Sequence, residues 1–265
     1  MLMMNRMNCV LTIAATLAIS TMASAQTTIV ADNFNDDSGD LNNETVTTGG
    51  QTWMLSTKGE TGGRTLTTGT QFGQSGTAGS GDADSGGAIW KGNMIQLGQQ
   101  LGNTPGTYTL SADLLKDHKA GLNQELNLIL RSSTQGGGRE TVVTYTNDRL
   151  RTGGNWFNGL DEGVSFGTPA SIHVDMTLNL VPDGGQTSGT LDWFEIGNSS
   201  NNGSFTLSNA PAGTLLYDEI HLLTKTGNSR NMGFDNVSLT FIPEPAAATL
   251  LALAALLLLP GARRR

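Results

Sequence analysis

Alternation of apolar and polar residues dominates the middle of the chain and predicts short β-strands. The clearest run spans residues 171–181, where His173 and Asp175 occupy two of the polar positions between Ile, Val, Met and Leu. A period of two places one side of a strand in a core and the other in solvent. The tetrapeptide Pro-Asp-Gly-Gly at 182–185 then forms a strong turn signal.

The same pattern recurs between Gly-, Asn- and Asp-rich turns, and no long amphipathic helix interrupts it. Residues 57–87 are rich in Gly and poor in apolar residues, which predicts long loops around short strands. Residues 26–241 therefore indicate one all-β sandwich domain. Its further predicted strands are residues 107–115, 124–130, 141–146, 190–196, 215–224 and 234–241.

The first 25 residues have the layout of a secretory signal peptide. Arg6 supplies the positive start, residues 10–19 form an apolar centre, and Ala23-Ser24-Ala25 is a small-residue cleavage site. We expect signal peptidase to cut before Gln26. The single cysteine lies inside this segment, so the exported domain has no disulfide and depends on its core.

Residues 242–265 form a tail with three consecutive parts. Pro243-Glu244-Pro245 comes first, an Ala- and Leu-rich run follows at 246–259, and Arg263, Arg264 and Arg265 end it. The run makes a helix of about 21 Å against a bilayer core of about 30 Å. Since every face is apolar and the arginines would hold its end in the cytoplasm, we predict a short transmembrane helix, with a buried core helix as the alternative.

These three parts, in this order, resemble the PEP-CTERM sorting signal. The resemblance implies a Gram-negative bacterium, recognition by an exosortase-type enzyme in the inner membrane, and delivery to the cell surface or an exopolysaccharide matrix. The inner membrane would then hold the protein only transiently. Ile242 departs mildly from the family, which often has Val there and a longer helix.

The two ends of the domain carry a second resemblance. Ile29 to Phe34 open it, Gly-Gly-Gln-Thr-Trp follows at 49–53, and Gly-Phe-Asp-Asn-Val-Ser-Leu at 233–239 closes it. These segments are similar to concanavalin A-like (laminin G-like) jelly rolls and carbohydrate-binding sandwiches of secreted bacterial proteins. The resemblance implies a jelly-roll sandwich whose first and last strands pair, and it concerns fold more than activity.

The net charge of the chain indicates which classes of binding partner are disfavoured. The chain has a net charge of −8, and residues 26–241 contain 22 acidic and 11 basic residues, a net of −11. An acidic surface repels nucleic acid and anionic lipid. Divalent cations and neutral glycans remain compatible partners.

No catalytic residue is predicted. Asp192 and Glu195 are three apart and fall on opposite faces of a strand, as do the adjacent Asp218 and Glu219. The Glu-x-Asp-x-x-Glu motif of laminarinase-type jelly rolls and a Gly-x-Ser-x-Gly elbow are both absent. We interpret the acids as solvated or turn carboxylates and the histidines as surface residues without zinc-binding spacing: His118, His173 and His221.

A calcium site is the one cofactor that the sequence suggests. Asp32, Asp36 and Asp37 crowd the first loop, and Asp235 would lie nearby if the terminal strands pair. Carboxylates in a flexible loop are ligands that calcium prefers. The alternative is an Asx-rich turn that only ends a strand.

A glycan site is predicted in the loop around Trp156 and Phe157. Asn155 and Asn158 flank the two aromatic residues, and glycines bound the segment. Exposed aromatic faces with polar neighbours suit sugar binding. The alternative is that these aromatics fold back onto the core, where we also place Trp53 and Trp193.

Together these patterns predict an exported surface or matrix protein whose β-sandwich binds a glycan or serves as structure, without catalysis. The alternative is a divergent secreted glycoside hydrolase of the concanavalin A-like fold.

Overall fold

Two antiparallel β-sheets pack face to face and form the domain. The computed structural model describes residues 25–35, 39–58, 64–71, 74–79, 89–116, 125–134, 140–146, 149–154, 170–180, 188–207, 216–226 and 232–244. Residues Thr27–Phe241 form one compact unit. The predicted all-β jelly-roll sandwich is confirmed.

The larger sheet has nine strands among the described residues. Their order is β13-β12-β11-β7-β15-β5-β4-β2, and β1 pairs with β15 outside this path. The strands are β1 (Thr27–Asp32), β2 (Gly39–Asp40), β4 (Thr67–Gln71), β5 (Gln74–Gly79), β7 (Gly106–Lys116), β11 (Ile172–Leu180), β12 (Ser188–Glu195), β13 (Asn198–Leu207) and β15 (Met232–Pro243).

The smaller sheet has six strands in the described part of the chain, in the order β10-β9-β8-β14-β6-β3. The strands are β3 (Met54–Leu55), β6 (Ile89–Gln96), β8 (Glu125–Arg131), β9 (Glu140–Thr146), β10 (Arg149–Gly154) and β14 (Glu219–Thr226).

The core lies between the sheets and follows the predicted alternation. On β11 every second residue from Ile172 to Leu180 is buried, while His173 and Asp175 face outward. The smaller sheet contributes residues such as Leu128 and Leu222 to the same cluster. Each such side chain stabilises the fold by about 1.5–3 kcal/mol through burial. The predicted core positions of Trp53 and Trp193 are confirmed, since they are 0% and 5% exposed.

The first and last strands pair, as the jelly-roll resemblance implies. The register of β1 and β15 runs from Thr27 opposite Phe241 to Asp32 opposite Val237. This pairing brings the Asp32 loop close to Asn236, which adopts a left-handed conformation with φ of 50°.

The predicted export and sorting segments fall mostly outside the described residues, which begin at residue 25 and end at 244. Pro243 is the last residue of β15, and Glu244 is exposed, as predicted. Among the described residues, no helix has the length and apolar character needed to span a bilayer.

Candidate functional site

The outer face of the nine-stranded sheet carries a polar cluster centred on His173. Strand pairing places Asp113 of β7 on one side of His173 and Phe194 of β12 on the other. The next row contains Ser111, Asp175 and, on β12, Asp192. Residues that pair directly across strands point to the same face, so these side chains converge although up to 83 positions, from Ser111 to Phe194, separate them in sequence.

Both ring nitrogens of His173 are hydrogen-bonded to carboxylates. Nδ1 lies 2.6 Å from Asp113 Oδ1, and Nε2 lies 3.3 Å from Asp175 Oδ1. The bonds to Asp113 and Asp175 outweigh burial and raise the pKa of His173 to about 9. The ring is therefore a cation at neutral pH that donates through both nitrogens.

His173 lies on the outer face of its strand, as predicted. Its side chain is only 21% exposed and is held by two carboxylates, which the sequence did not predict. Its carboxylate partners are held in turn, since Asn236 Nδ2 donates to Asp113 Oδ2 at 2.8 Å and Ser111 Oγ donates to Asp175. The hydrogen bond from His173 lowers the pKa of Asp175, which stays ionised at neutral pH.

We expect this cluster to make the free energy of unfolding fall as the pH becomes alkaline. The pKa of His173 is about 9 in the fold and about 6.5 when unfolded. Its contribution is therefore complete below about pH 6.5 and is lost as pH rises through about 9. Urea unfolding of wild type and His173→Gln should differ most at pH 6 and least at pH 10. An unchanged difference across this range would contradict the assignment.

Phe194 stacks on the His173 ring and remains accessible. The ring centroids are 4.9 Å apart with planes 27° from parallel, and Phe194 is 40% exposed. A groove of about 440 Å³ lies beside it, within the size range of small-ligand sites. Polar side chains that line the groove are Asp175, Asp192, Ser199, Asn202 and Ser204.

The predicted glycan residues Asn155, Trp156, Phe157 and Asn158 lie outside the described residues, so that site stays a prediction. Sequence reasoning missed Phe194, although a signal was present. Alternation along β12 sends Trp193 inward and therefore directs the next aromatic residue outward.

Asp32 is a buried structural carboxylate. It is 2% exposed, and its Oδ2 accepts a hydrogen bond of 2.6 Å from Trp53 Nε1. Its Oδ1 accepts from the Phe34 backbone N–H at 3.0 Å and from Thr47 Oγ1 at 3.2 Å. The loop carboxylate thus holds the indole of Trp53 in the core.

Asp32 and Asp235, the described residues of the predicted calcium site, do not form a cluster of metal ligands. Burial raises the pKa of Asp235 to about 6, and the charges of Asp113 and Asp32 add to the shift. Within the described ranges, no group of three or more His, Cys, Asp or Glu residues could hold a metal ion. Asp36 and Asp37 lie outside those ranges, so calcium stays a prediction.

Asp218 and Glu219, both predicted to be solvated or turn carboxylates, lie in different environments. Asp218 accepts hydrogen bonds from Ser133 N at 2.7 Å and Ser133 Oγ at 2.6 Å, as a turn carboxylate does. Glu219 contradicts the prediction, because it is 4% exposed on a central strand and contacts the fully buried His221. The surface interpretation of His221 is wrong for the same reason: the outer side of a central strand can be buried.

Asp192 and Glu195 do not form a pair, as expected. Asp192 lines the groove, whereas Glu195 Oε2 accepts a hydrogen bond of 2.8 Å from Asn201 Nδ2 beside the β12–β13 turn. The structure instead places Asp192 opposite Asp175, a pairing that spacing within one strand could not reveal.

Comparison with known proteins gives the fold but no family. No family model matches the chain, and no curated protein matches it. The marine PL-14 alginate lyase from Aplysia kurodai is 11% identical, and the match covers 80% of this chain and 98% of that chain with a TM-score of 0.50. Likeness at this identity shows a shared fold alone.

Two further solved structures are more distant. Peanut lectin is 10% identical, with 84% of this chain and 100% of that chain covered at a TM-score of 0.47. A carbohydrate esterase from Shiga toxin-encoding bacteriophage phi24B is 12% identical, with 82% and 100% covered at a TM-score of 0.44.

Proposed function

We propose that this protein is an exported β-sandwich that binds a neutral glycan on the outer face of its nine-stranded sheet. One observation carries the proposal: Phe194 is exposed, held flat against charged His173, and bordered by a polar groove. An accessible aromatic ring with polar neighbours suits the apolar face and the hydroxyl groups of a sugar.

The chemistry of the groove matches this ligand. Asp175 and Asp192 accept hydrogen bonds from sugar hydroxyls, while Asn202 and Ser204 both donate and accept. Because His173 is fixed by two carboxylates, the stacked Phe194 has little freedom left to lose on binding. An anionic polysaccharide would meet carboxylates in the groove and an acidic domain, so a neutral polymer fits better.

A glycan array is the direct test of this proposal. The full-length protein should retain neutral oligosaccharides and bind poorly to sulfated or carboxylated ones. A protein that binds no glycan on the array would favour the structural role that the sequence left open. The shared fold with the alginate lyase is compatible with binding but does not carry the proposal.

A glycosidase is the second candidate, and one observation favours it. Asp175 and Asp192 pair directly across β11 and β12, and directly opposed side chains have Cβ atoms about 4.5–5.5 Å apart. Retaining glycosidases hold two carboxyl groups about 5–5.5 Å apart. The hydrogen bond from His173 lowers the pKa of Asp175 and makes it a poor acid, so the pair would have to use Asp192 as its acid. We expect no release of reducing sugar from bound glycans. If sugar is released and Asp192→Asn abolishes the release, the glycosidase becomes the first candidate.

We also propose that export and sorting follow the terminal sequences. Signal peptidase would cut before Gln26, and an exosortase-type enzyme would remove the apolar tail near Pro243-Glu244-Pro245. The support is the order of motif, apolar run and arginines, together with the exposure of Glu244. The protein would then reach the cell surface or the extracellular matrix of a Gram-negative bacterium.

Intact mass of the protein extracted from the cell surface tests the sorting proposal. We expect a chain that begins at Gln26 and lacks residues 246–265. Replacing Pro243 and Glu244 with alanine should leave the full tail on protein held in the inner membrane. A surface fraction that retains residues 246–265 would contradict sorting and indicate an ordinary tail anchor.

A further inference from the structure

A second polar cluster lies on the outer face of the six-stranded sheet. On β14, Ile220 and Leu222 join the core, so the alternate residues Glu219 and His221 point away from it. Ser56 follows β3, where its backbone N–H donates to Gly92 O at 3.0 Å. Gly92 pairs with Leu223 of β14 and has no side chain, so no β6 side chain stands at that position between Ser56 and β14.

Ser56, His221 and Glu219 form a linear hydrogen-bonded series. Ser56 Oγ lies 2.9 Å from His221 Nδ1, and His221 Nε2 lies 3.0 Å from Glu219 Oε2. Burial lowers the pKa of His221, and the charges of Arg131 and Lys58 lower it further against the effect of Glu219. The ring is therefore neutral at pH 7.

Neutrality fixes the direction of both bonds. A carboxylate only accepts, so His221 donates its Nε2–H to Glu219. Nδ1 then carries a lone pair, and Ser56 donates its hydroxyl hydrogen to it. This is the arrangement of a nucleophile, a general base and a group that orients the base, which is recognised by geometry and not by sequence order.

We propose that Ser56 is a nucleophile for small O-acyl esters, with His221 as its general base and Glu219 as a positioning residue. This activity goes beyond glycan binding and lies on the other sheet. Ser56 is 7% exposed, which limits the acyl group to a small one, while its neighbour Thr57 is exposed and gives an approach from solvent.

Cations beside the cluster suit the charge that develops in acyl transfer. Arg131 NH1 donates to Thr57 Oγ1 at 3.0 Å, and Lys58 Nζ lies 2.7 Å from Glu140 Oε2. In the register of β8 and β14, Arg131 lies opposite Glu219. The buried Nε of Arg131 has no hydrogen-bond partner in the described part of the chain. Preformed positive charge stabilises an oxyanion in a site of low dielectric.

The reaction balances without a cofactor. Ser56 Oγ forms a bond to the acyl carbon while its proton moves to His221 Nδ1. The imidazolium, held by Glu219, returns the proton to the departing alkoxide as the ester C–O bond breaks. Water then attacks the acyl-serine by the same proton path, which releases the acid and restores the hydroxyl.

Labelling with a fluorophosphonate probe tests the proposal on the folded, full-length protein. We expect one adduct per chain, mapped to Ser56 by peptide mass, and slow hydrolysis of p-nitrophenyl acetate with an initial burst. Ser56→Ala should abolish both. Ser132→Ala provides the matched control, because Ser132 is 2% exposed and this change should leave labelling intact.

Two further variants separate catalysis from structure. His221→Gln keeps a donor for Glu219 but removes the base, so labelling should slow by about 100-fold or more. The Glu219 carboxylate raises the pKa of His221, so removing it lowers that pKa. Glu219→Gln should therefore move the acidic limb of the pH–rate profile to lower pH.

Several results would overturn the proposal. They are no adduct on folded wild-type protein, an adduct at another residue, or unchanged labelling in His221→Gln. The wild-type adduct decides the matter even if the variants fail to fold. Glycan retention is measured separately, so failure here and failure of the glycan proposal are distinguishable.

Discussion

Replacing Phe194 with alanine should abolish glycan retention while the domain stays folded. Covering a Phe side chain with a ligand is worth about 1.5–3 kcal/mol, which corresponds to a loss of roughly 10- to 150-fold in affinity. Phe194 is 40% exposed and stacks only on one side against His173, so its removal leaves no cavity in the core. Affinity electrophoresis in a retained polysaccharide, combined with thermal melting, measures both effects.

Leu55→Ala is the matched control for Phe194→Ala. Leu55 is 39% exposed and lies in the other sheet, so this change also removes exposed apolar surface. Its retention on the polysaccharide should equal that of wild type. If Phe194→Ala also retains the polysaccharide and a Trp156/Phe157 double alanine variant does not, the predicted loop is the binding site instead.

Replacing Asp32 with alanine should cause the largest loss of stability. The change leaves the Trp53 Nε1–H and the Phe34 N–H, both buried, without their acceptor. Buried unsatisfied donors cost about 1–3 kcal/mol each, so we expect a loss of about 2–6 kcal/mol in the free energy of unfolding. Urea unfolding measures it, and Asp32→Asn should lose less because one acceptor oxygen remains.

Asp40→Ala is the control, since Asp40 is an exposed acid on β2 and such changes alter stability by about 0.5 kcal/mol or less. Repeating the series with chelator and with calcium tests the metal prediction at the same time. A bound ion would make wild-type stability depend on calcium by mass action. A loss in Asp32→Ala no larger than in Asp40→Ala would contradict the anchoring role.

Strands with regular alternation were predictable, and strands without it were not. β11 and β7 alternate buried apolar residues with polar ones along their length, so period and burial agree. β13 begins with Asn-Ser-Ser-Asn-Asn-Gly-Ser, which resembles a loop, yet it pairs with β12 along most of its length. Backbone hydrogen bonds to β12 form this polar part of the strand, and composition gives no sign of them, whereas Phe205 and Leu207 at its end pack against the core.

The candidate sites depend on strand register, which one sequence does not reveal. Asp113 and His173 are 60 positions apart, and Ser56 and His221 are 165 apart. Only the pairing of β7 with β11, and of β3 and β14 with β6, brings them together. The outward direction of Phe194 was available from alternation, whereas the stacking on His173 was not.

The pairing of β1 with β15 has a consequence for how a tethered molecule would be oriented. Thr27 lies opposite Phe241, so the first and last residues of the domain lie at the same pole of the sandwich. Asn236 lies five residues before Phe241 on β15, or about 17 Å from it at about 3.4 Å per residue. Its side chain binds Asp113, which in turn holds the stack of His173 and Phe194. A domain held at the pole where Thr27 and Phe241 lie would therefore present Phe194 away from that pole, toward whatever polymer surrounds it.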